Sequence, residues 1–130
     1  MSVQDDRAGI AAVLRQALAP LKIEGLDYAP GTVRAGIAWL DLSEIQAPEN
    51  QTFAHKKMRV TWRVTITVSA TLTVIEAQKQ LDAALDAAMS AIVASGAADV
   101  ETAGEYFGIT ETNGATFPAV RLTLSSIIDI

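Results

Sequence analysis

From Met58 to Ala70 the chain alternates without a miss. Met58, Val60, Trp62, Val64, Ile66, Val68 and Ala70 are apolar, and Arg59, Thr61, Arg63, Thr65, Thr67 and Ser69 between them are polar. Successive side chains of a β-strand point to opposite faces, so a period of two predicts a strand with one dry face and one wet face. At about 3.3 Å per residue the strand would span roughly 43 Å, whereas a compact domain of this size is roughly 36 Å across. Part of it is therefore expected to project beyond its own globule, with unpaired backbone groups open to a neighbouring chain.

The dry face of such a strand needs a cover, and two segments have the spacing to supply one. Ser2 can cap backbone N–H groups, Asp5 and Asp6 suit the positive end of a helix, and Val3, Ile10, Val13, Leu14, Ala17 and Leu18 recur at helical intervals until Pro20. This predicts a helix from Val3 to about Ala19. Thr73-Val74-Ile75-Glu76 has the Ser/Thr-x-x-Glu form of a capping box, and Val74, Ala77, Leu81, Ala84, Leu85, Ala88, Met89 and Ile92 follow at helical spacing until Ser95-Gly96. The second helix is thus Val74 to about Ala94.

The remaining strands are shorter signals. Leu21 to Tyr28 can hold a short one before the Pro30-Gly31 turn, and Thr32 to Leu40 is apolar on both faces, as a covered strand would be. Asp41 to Lys56 is a long polar connection centred on Pro48, Glu49 and Asn50, leading into the alternating strand. Asn113-Gly114, between Tyr106–Ile109 and Val120–Leu124, has the chemistry of a tight hairpin turn. At 130 residues the chain is read as a single α+β domain over 1–130: a mostly antiparallel sheet with a long β-hairpin arm, packed against two helices.

Composition excludes several functional classes. No apolar run is long enough to span a bilayer, and the N-terminus enters Asp5, Asp6 and Arg7 with no signal-peptide core, so no membrane is expected. The chain has no cysteine and a single histidine, which closes disulfides and most routes to a zinc site or an activated nucleophile. His55 sits beside Lys56 and Lys57 with no adjacent acid to orient it, and reads as a solvated loop residue. Asp82 and Asp86, one helical turn apart, could hold a hard cation but read as a solvated face, with Lys79 close by. Gly96, Gly104 and Gly108 do not form a phosphate-binding fingerprint. No catalytic residue, cofactor or metal is predicted.

Charge points instead to contacts with protein. A net charge of −5 opposes general affinity for nucleic acid. The charges are segregated: Lys56, Lys57, Arg59 and Arg63 cluster, while from Glu76 to Glu111 Lys79 is the sole cation among Glu76, Asp82, Asp86, Asp99, Glu101, Glu105 and Glu111. Lys57, Arg59 and Arg63 share the wet face of the long strand. They suit an edge-strand surface on which cations discourage pairing, or a contact with an acidic partner such as the Glu76–Glu111 half of an adjacent copy.

This order of elements, with the alternating strand running straight into the capped helix at Thr73 and with phrases such as Gly36-Ile37-Ala38-Trp39-Leu40 and Val64-Thr65-Ile66-Thr67-Val68, resembles the tail terminator (tail completion) proteins of long-tailed bacteriophages. The resemblance implies a structural virion protein without enzymatic activity, made in the host cytoplasm and located at the head–tail interface. Its copies would form a homo-oligomeric ring, a hexamer in the family. That ring would cap the major tail tube protein, stop tube growth and dock to the head–tail connector, with DNA only a passing strand in the lumen. Lys57, Arg59 and Arg63 are the candidate subunit or tube interface. The other reading is a small cellular ligand-binding or enzymatic domain with a pocket lined by Trp39, Trp62 or Tyr106.

Overall fold

The computed structural model describes residues 2–47 and 57–129. His55, Lys56 and the centre of the long connection (Pro48, Glu49 and Asn50) lie outside the described residues. The elements in order are α1 (Val3–Leu18), a 3-10 turn (Ala19–Leu21), β1 (Glu24–Leu26), β2 (Ile37–Gln46), β3 (Lys57–Thr67), α2 (Val74–Ser95), β4 (Asp99–Thr110) and β5 (Thr116–Asp129). They form an α+β fold in which two helices pack on a five-stranded sheet of order β1-β2-β3-β5-β4. Every pairing is antiparallel except that of β1 with β2.

Both helices begin where the caps predict. The Ser2 hydroxyl accepts from the Asp5 amide while the Asp5 carboxylate accepts from the Ser2 amide, a reciprocal box that holds the Asp5 carboxyl below its ordinary range, chiefly through that backbone bond. At α2 the Thr73 hydroxyl accepts from the Glu76 amide and donates to the Glu76 carboxylate. Gly96 ends α2 in the left-handed conformation, which glycine adopts without penalty.

One face of the sheet carries both helices. Val60, Trp62, Val64 and Ile66 of β3 and Val120, Leu122 and Leu124 of β5 are fully buried against Ile10 and Leu14 of α1 and Leu81 and Ile92 of α2. Burial thus alternates from Met58 to Val64, beyond which Thr65 and Thr67 on the other face are buried as well.

The position of that strand differs from expectation in two ways. It ends at Thr67 rather than Ala70, and it lies inside the sheet, paired from Ala38↔Ile66 to Gln46↔Arg59 with β2 and from Lys57↔Asp129 to Thr67↔Ala119 with β5. The C-terminal strand is longer than the Val120–Leu124 signal suggests, and it covers the backbone edge that the sequence left open. The edge reading of Lys57, Arg59 and Arg63 is therefore corrected: they lie on the face of an interior strand. The exposed part of the β2–β3 hairpin is on β2, where Asp41 to Gln46 are all exposed. That stretch continues as strand where a polar connection was expected.

Two connections also depart from the sequence reading. Thr32–Gly36 is not strand; β2 starts at Ile37, after Gly36 takes a positive φ of 71°. The segment before it crosses the sheet end: the Thr67 hydroxyl donates to the Arg34 carbonyl (2.7 Å), and the Val33 amide donates to the Glu111 carboxylate (2.8 Å) in the β4–β5 turn. The turn at Asn113-Gly114 is wider than a two-residue hairpin. The Gly114 amide returns to the Glu111 carbonyl, and the Glu111 amide donates to the Ala115 carbonyl.

Candidate functional site

The sheet face opposite the helices is bare over most of its area among the described residues. Odd-numbered residues of β3 point to it, and register sets their neighbours. Lys57 lies beside Asp129, Arg59 between Gln46 and Ile127, Thr61 between Glu44 and Ser125, and Arg63 between Asp41 and Thr123. Only the end near Thr67 is covered, by the crossing segment, and there Ile37, Thr67 and Ala119 are fully buried and Trp39 nearly so.

Lys57, Arg59 and Arg63 are all exposed on this one face, as their parity predicts. Their electrostatic situations differ. Lys57 is paired with Asp129 at 2.9 Å, a bond that holds the Asp129 carboxyl below its ordinary range. Arg59 and Arg63 have no ion-pair partner among the described residues. Arg63 stands directly across from Asp41, but that carboxylate accepts from the Trp39 indole N–H at 3.0 Å. A further cation that the sequence did not single out, Arg121 on β5, stacks over Phe107 at 4.6 Å and pairs loosely with Glu105 at 3.7 Å. The face therefore carries a central column of two arginines without an ion-pair partner among the described residues, flanked by acids on β2 (Asp41, Glu44) and by Asp99 and Glu105 on β4. Ile127, 47% exposed, lies beside Arg59.

The acidic half from Glu76 to Glu111 does not form one surface. Glu76, Asp82 and Asp86 are exposed on α2, on the helix side, whereas Asp99 and Glu105 face the bare side. The Tyr106 hydroxyl donates to the Asp82 carboxylate, which pushes the Tyr106 hydroxyl's pKa up. Glu101 sits at a bulge in β4 and accepts from the Ser125 hydroxyl, and a second bulge occurs at Gly104, where φ is 105°. Bulges of this kind twist an edge strand away from regular pairing.

Two neighbouring residues near the start of α1 join the helix to the sheet. Asp6 is buried and accepts from the Trp62 indole N–H at 2.8 Å and from the Ser126 hydroxyl. Arg7 donates to the carbonyls of Asp27 and Leu40, both at 2.8 Å, and lies over the rings of Tyr28 and Trp62. Its guanidinium thus occupies the edge of β2 just past the end of β1. The spacing of α1 marks Asp6 and Arg7 only as polar first-turn residues; that they lie over Trp62 depends on how the helix is docked.

Of the three aromatic residues named for a ligand pocket, Trp62 is fully buried and Trp39 is 6% exposed. Tyr106 lines a cavity of about 140 Å³ with Leu72, Val74, Ala77, Leu81 and Pro118, smaller than the roughly 300–1,000 Å³ of ordinary small-molecule sites. Among the described residues no three His, Cys, Asp or Glu side chains converge as a metal site would require, and no helix is long and apolar enough to cross a membrane. No protein-family model matches the chain, and no curated protein matches it in sequence.

Proposed function

We propose that this chain is a structural protein of a long-tailed phage. In this reading its copies form a ring, six in number, that caps the tail tube, stops tube polymerisation and docks the tail to the head connector. The observation that supports it most is the bare sheet face with Arg59 and Arg63 at its centre, without an ion-pair partner among the described residues, and Ile127 exposed beside Arg59. Lys57 is paired within the domain by Asp129 and Arg121 loosely by Glu105, whereas Arg59 and Arg63 have no such acid among the described residues. Surfaces repeated identically around a ring leave their charges to the neighbouring copy.

The exposed β2 half of the hairpin adds a second outward surface, with Leu42 and Ile45 each 41% exposed on the helix side. Two unlike surfaces fit a subunit that must touch both its neighbours and the tube. A net charge of −5 also suits a ring through which DNA passes without being held.

The test is imaging of virion necks together with tail lengths in phage lacking the gene. A ring of this chain at the head-proximal end of the tail, and overlong or headless tails without it, are expected. Tails of normal length and full infectivity in its absence would reject the reading.

A further inference from the structure

We infer that the bare sheet face of one copy is covered by α2 of the next, with Asp82 and Asp86 against Arg59 and Arg63, and Val93 against Ile127. The inference rests on the ring reading and names the contact that would repeat around it.

α2 has a stripe suited to this role. Ile75 and Val93 lie about five turns, roughly 27 Å, apart on one azimuth of the helix. They are 68% and 69% exposed and lie opposite the side of the helix that is buried. Asp82 and Asp86 fall on the same azimuth between them, with the exposed Lys79 at its margin, so the stripe has a net acidic centre and apolar ends. The sheet face offers arginines at Arg63 and Arg59 along its central column, with the exposed Ile127 directly across from Arg59 on β5. The two arginines are roughly 13 Å apart along the strand and the two aspartates roughly 6 Å along the helix, a difference that two long arginine side chains can span. Asp41 and Glu44 on one flank and Glu105 on the other would repel α2 if it were laid off-centre, which restricts the register.

The geometry also favours closure. The Tyr106 hydroxyl ties Asp82 to β4, so the stripe leans toward the β4 edge instead of pointing straight away from the sheet. The two contact surfaces of one copy are therefore inclined to each other, and head-to-tail contacts between inclined surfaces turn from copy to copy.

The experiment uses the full chain, whose lack of cysteine lets introduced thiols report cleanly. Arg63→Cys and Asp86→Cys in one chain lie on opposite sides of the domain and cannot bridge within it. Under mild oxidation the double variant should give a ladder of covalent multimers, whereas each single variant, with no thiol opposite its own across a head-to-tail contact, should stay uncrosslinked. Separately, Arg59→Glu with Arg63→Glu, or Asp82→Arg with Asp86→Arg, should each weaken self-association by about tenfold or more, and all four together should restore it. Circular dichroism confirms that each variant is folded. No ladder, or assembly that tolerates either reversal, overturns this contact and leaves the ring reading in place. A chain that is monomeric in solution and missing from virion necks overturns both.

Discussion

The two faces of β3 differ in nearly every respect although they alternate along one strand. The even-numbered side is closed: Val60, Trp62, Val64 and Ile66 have no solvent exposure, and the one polar atom among them, the Trp62 indole N–H, is satisfied by Asp6. The odd-numbered side is open from Lys57 to Arg63 and covered only at Thr65 and Thr67, and its Arg59 and Arg63 lack ion-pair partners among the described residues. Burial makes the first face intolerant of change, because lost contacts and unsatisfied polar groups have no water to replace them. On the second face water screens each charge, so substitutions there have little effect on folding. One set of alternate residues in the strand thus carries stability, and the assembly role proposed above rests on the other.

The sharpest way to break that comparison is at Trp62. Trp62→Ala should cost about 3–5 kcal/mol, because it opens a cavity and removes the donor that Asp6 accepts from beneath α1. Urea denaturation measures it, and a loss below about 1 kcal/mol would mean that the covered face is not the main source of stability. A smaller effect is expected where the helix layer meets β1. A Cβ at Gly25 would lie 2.9 Å from the Arg15 Cα and 3.0 Å from its backbone nitrogen. Neither backbone atom can swing aside, so Gly25→Ala should cost about 1–3 kcal/mol by prising β1 from α1. An unchanged unfolding midpoint would show that β1 shifts freely.

On the open face the double substitution Arg59→Glu with Arg63→Glu should leave unfolding within about 0.5 kcal/mol of wild type while assembly is lost. A large fall in stability with assembly intact would reverse the assignment of the two faces. The smallest effect concerns the Tyr106 hydroxyl. Its bond to Asp82 raises its pKa in the folded chain, so its stabilising contribution is complete below the unfolded-state pKa and is lost as pH rises through the folded one. The stability difference between wild type and Tyr106→Phe should therefore narrow in the alkaline range above about pH 10. A difference that stays constant or widens there would show that the bond has little effect on the protonated form.

Local periodicity was enough to identify both helices, their caps and the side of β3 that is buried. Val60, Trp62, Val64 and Ile66 had to face one way and Lys57, Arg59 and Arg63 the other, because side-chain direction in a strand depends only on parity. Likewise, Ser2 and Thr73 cap their helices through residues three positions away. Strand neighbours are another matter. Nothing near Lys57 in sequence shows that it lies beside Asp129, or that β5 covers the edge from which an exposed arm was inferred. The same holds for Asp6 beneath Trp62, Val33 on Glu111, and the division of the acidic half between α2 and the bare face. These are contacts between residues far apart in the chain, and they depend on strand order and helix docking, which are decided by how the whole apolar surface is buried at once.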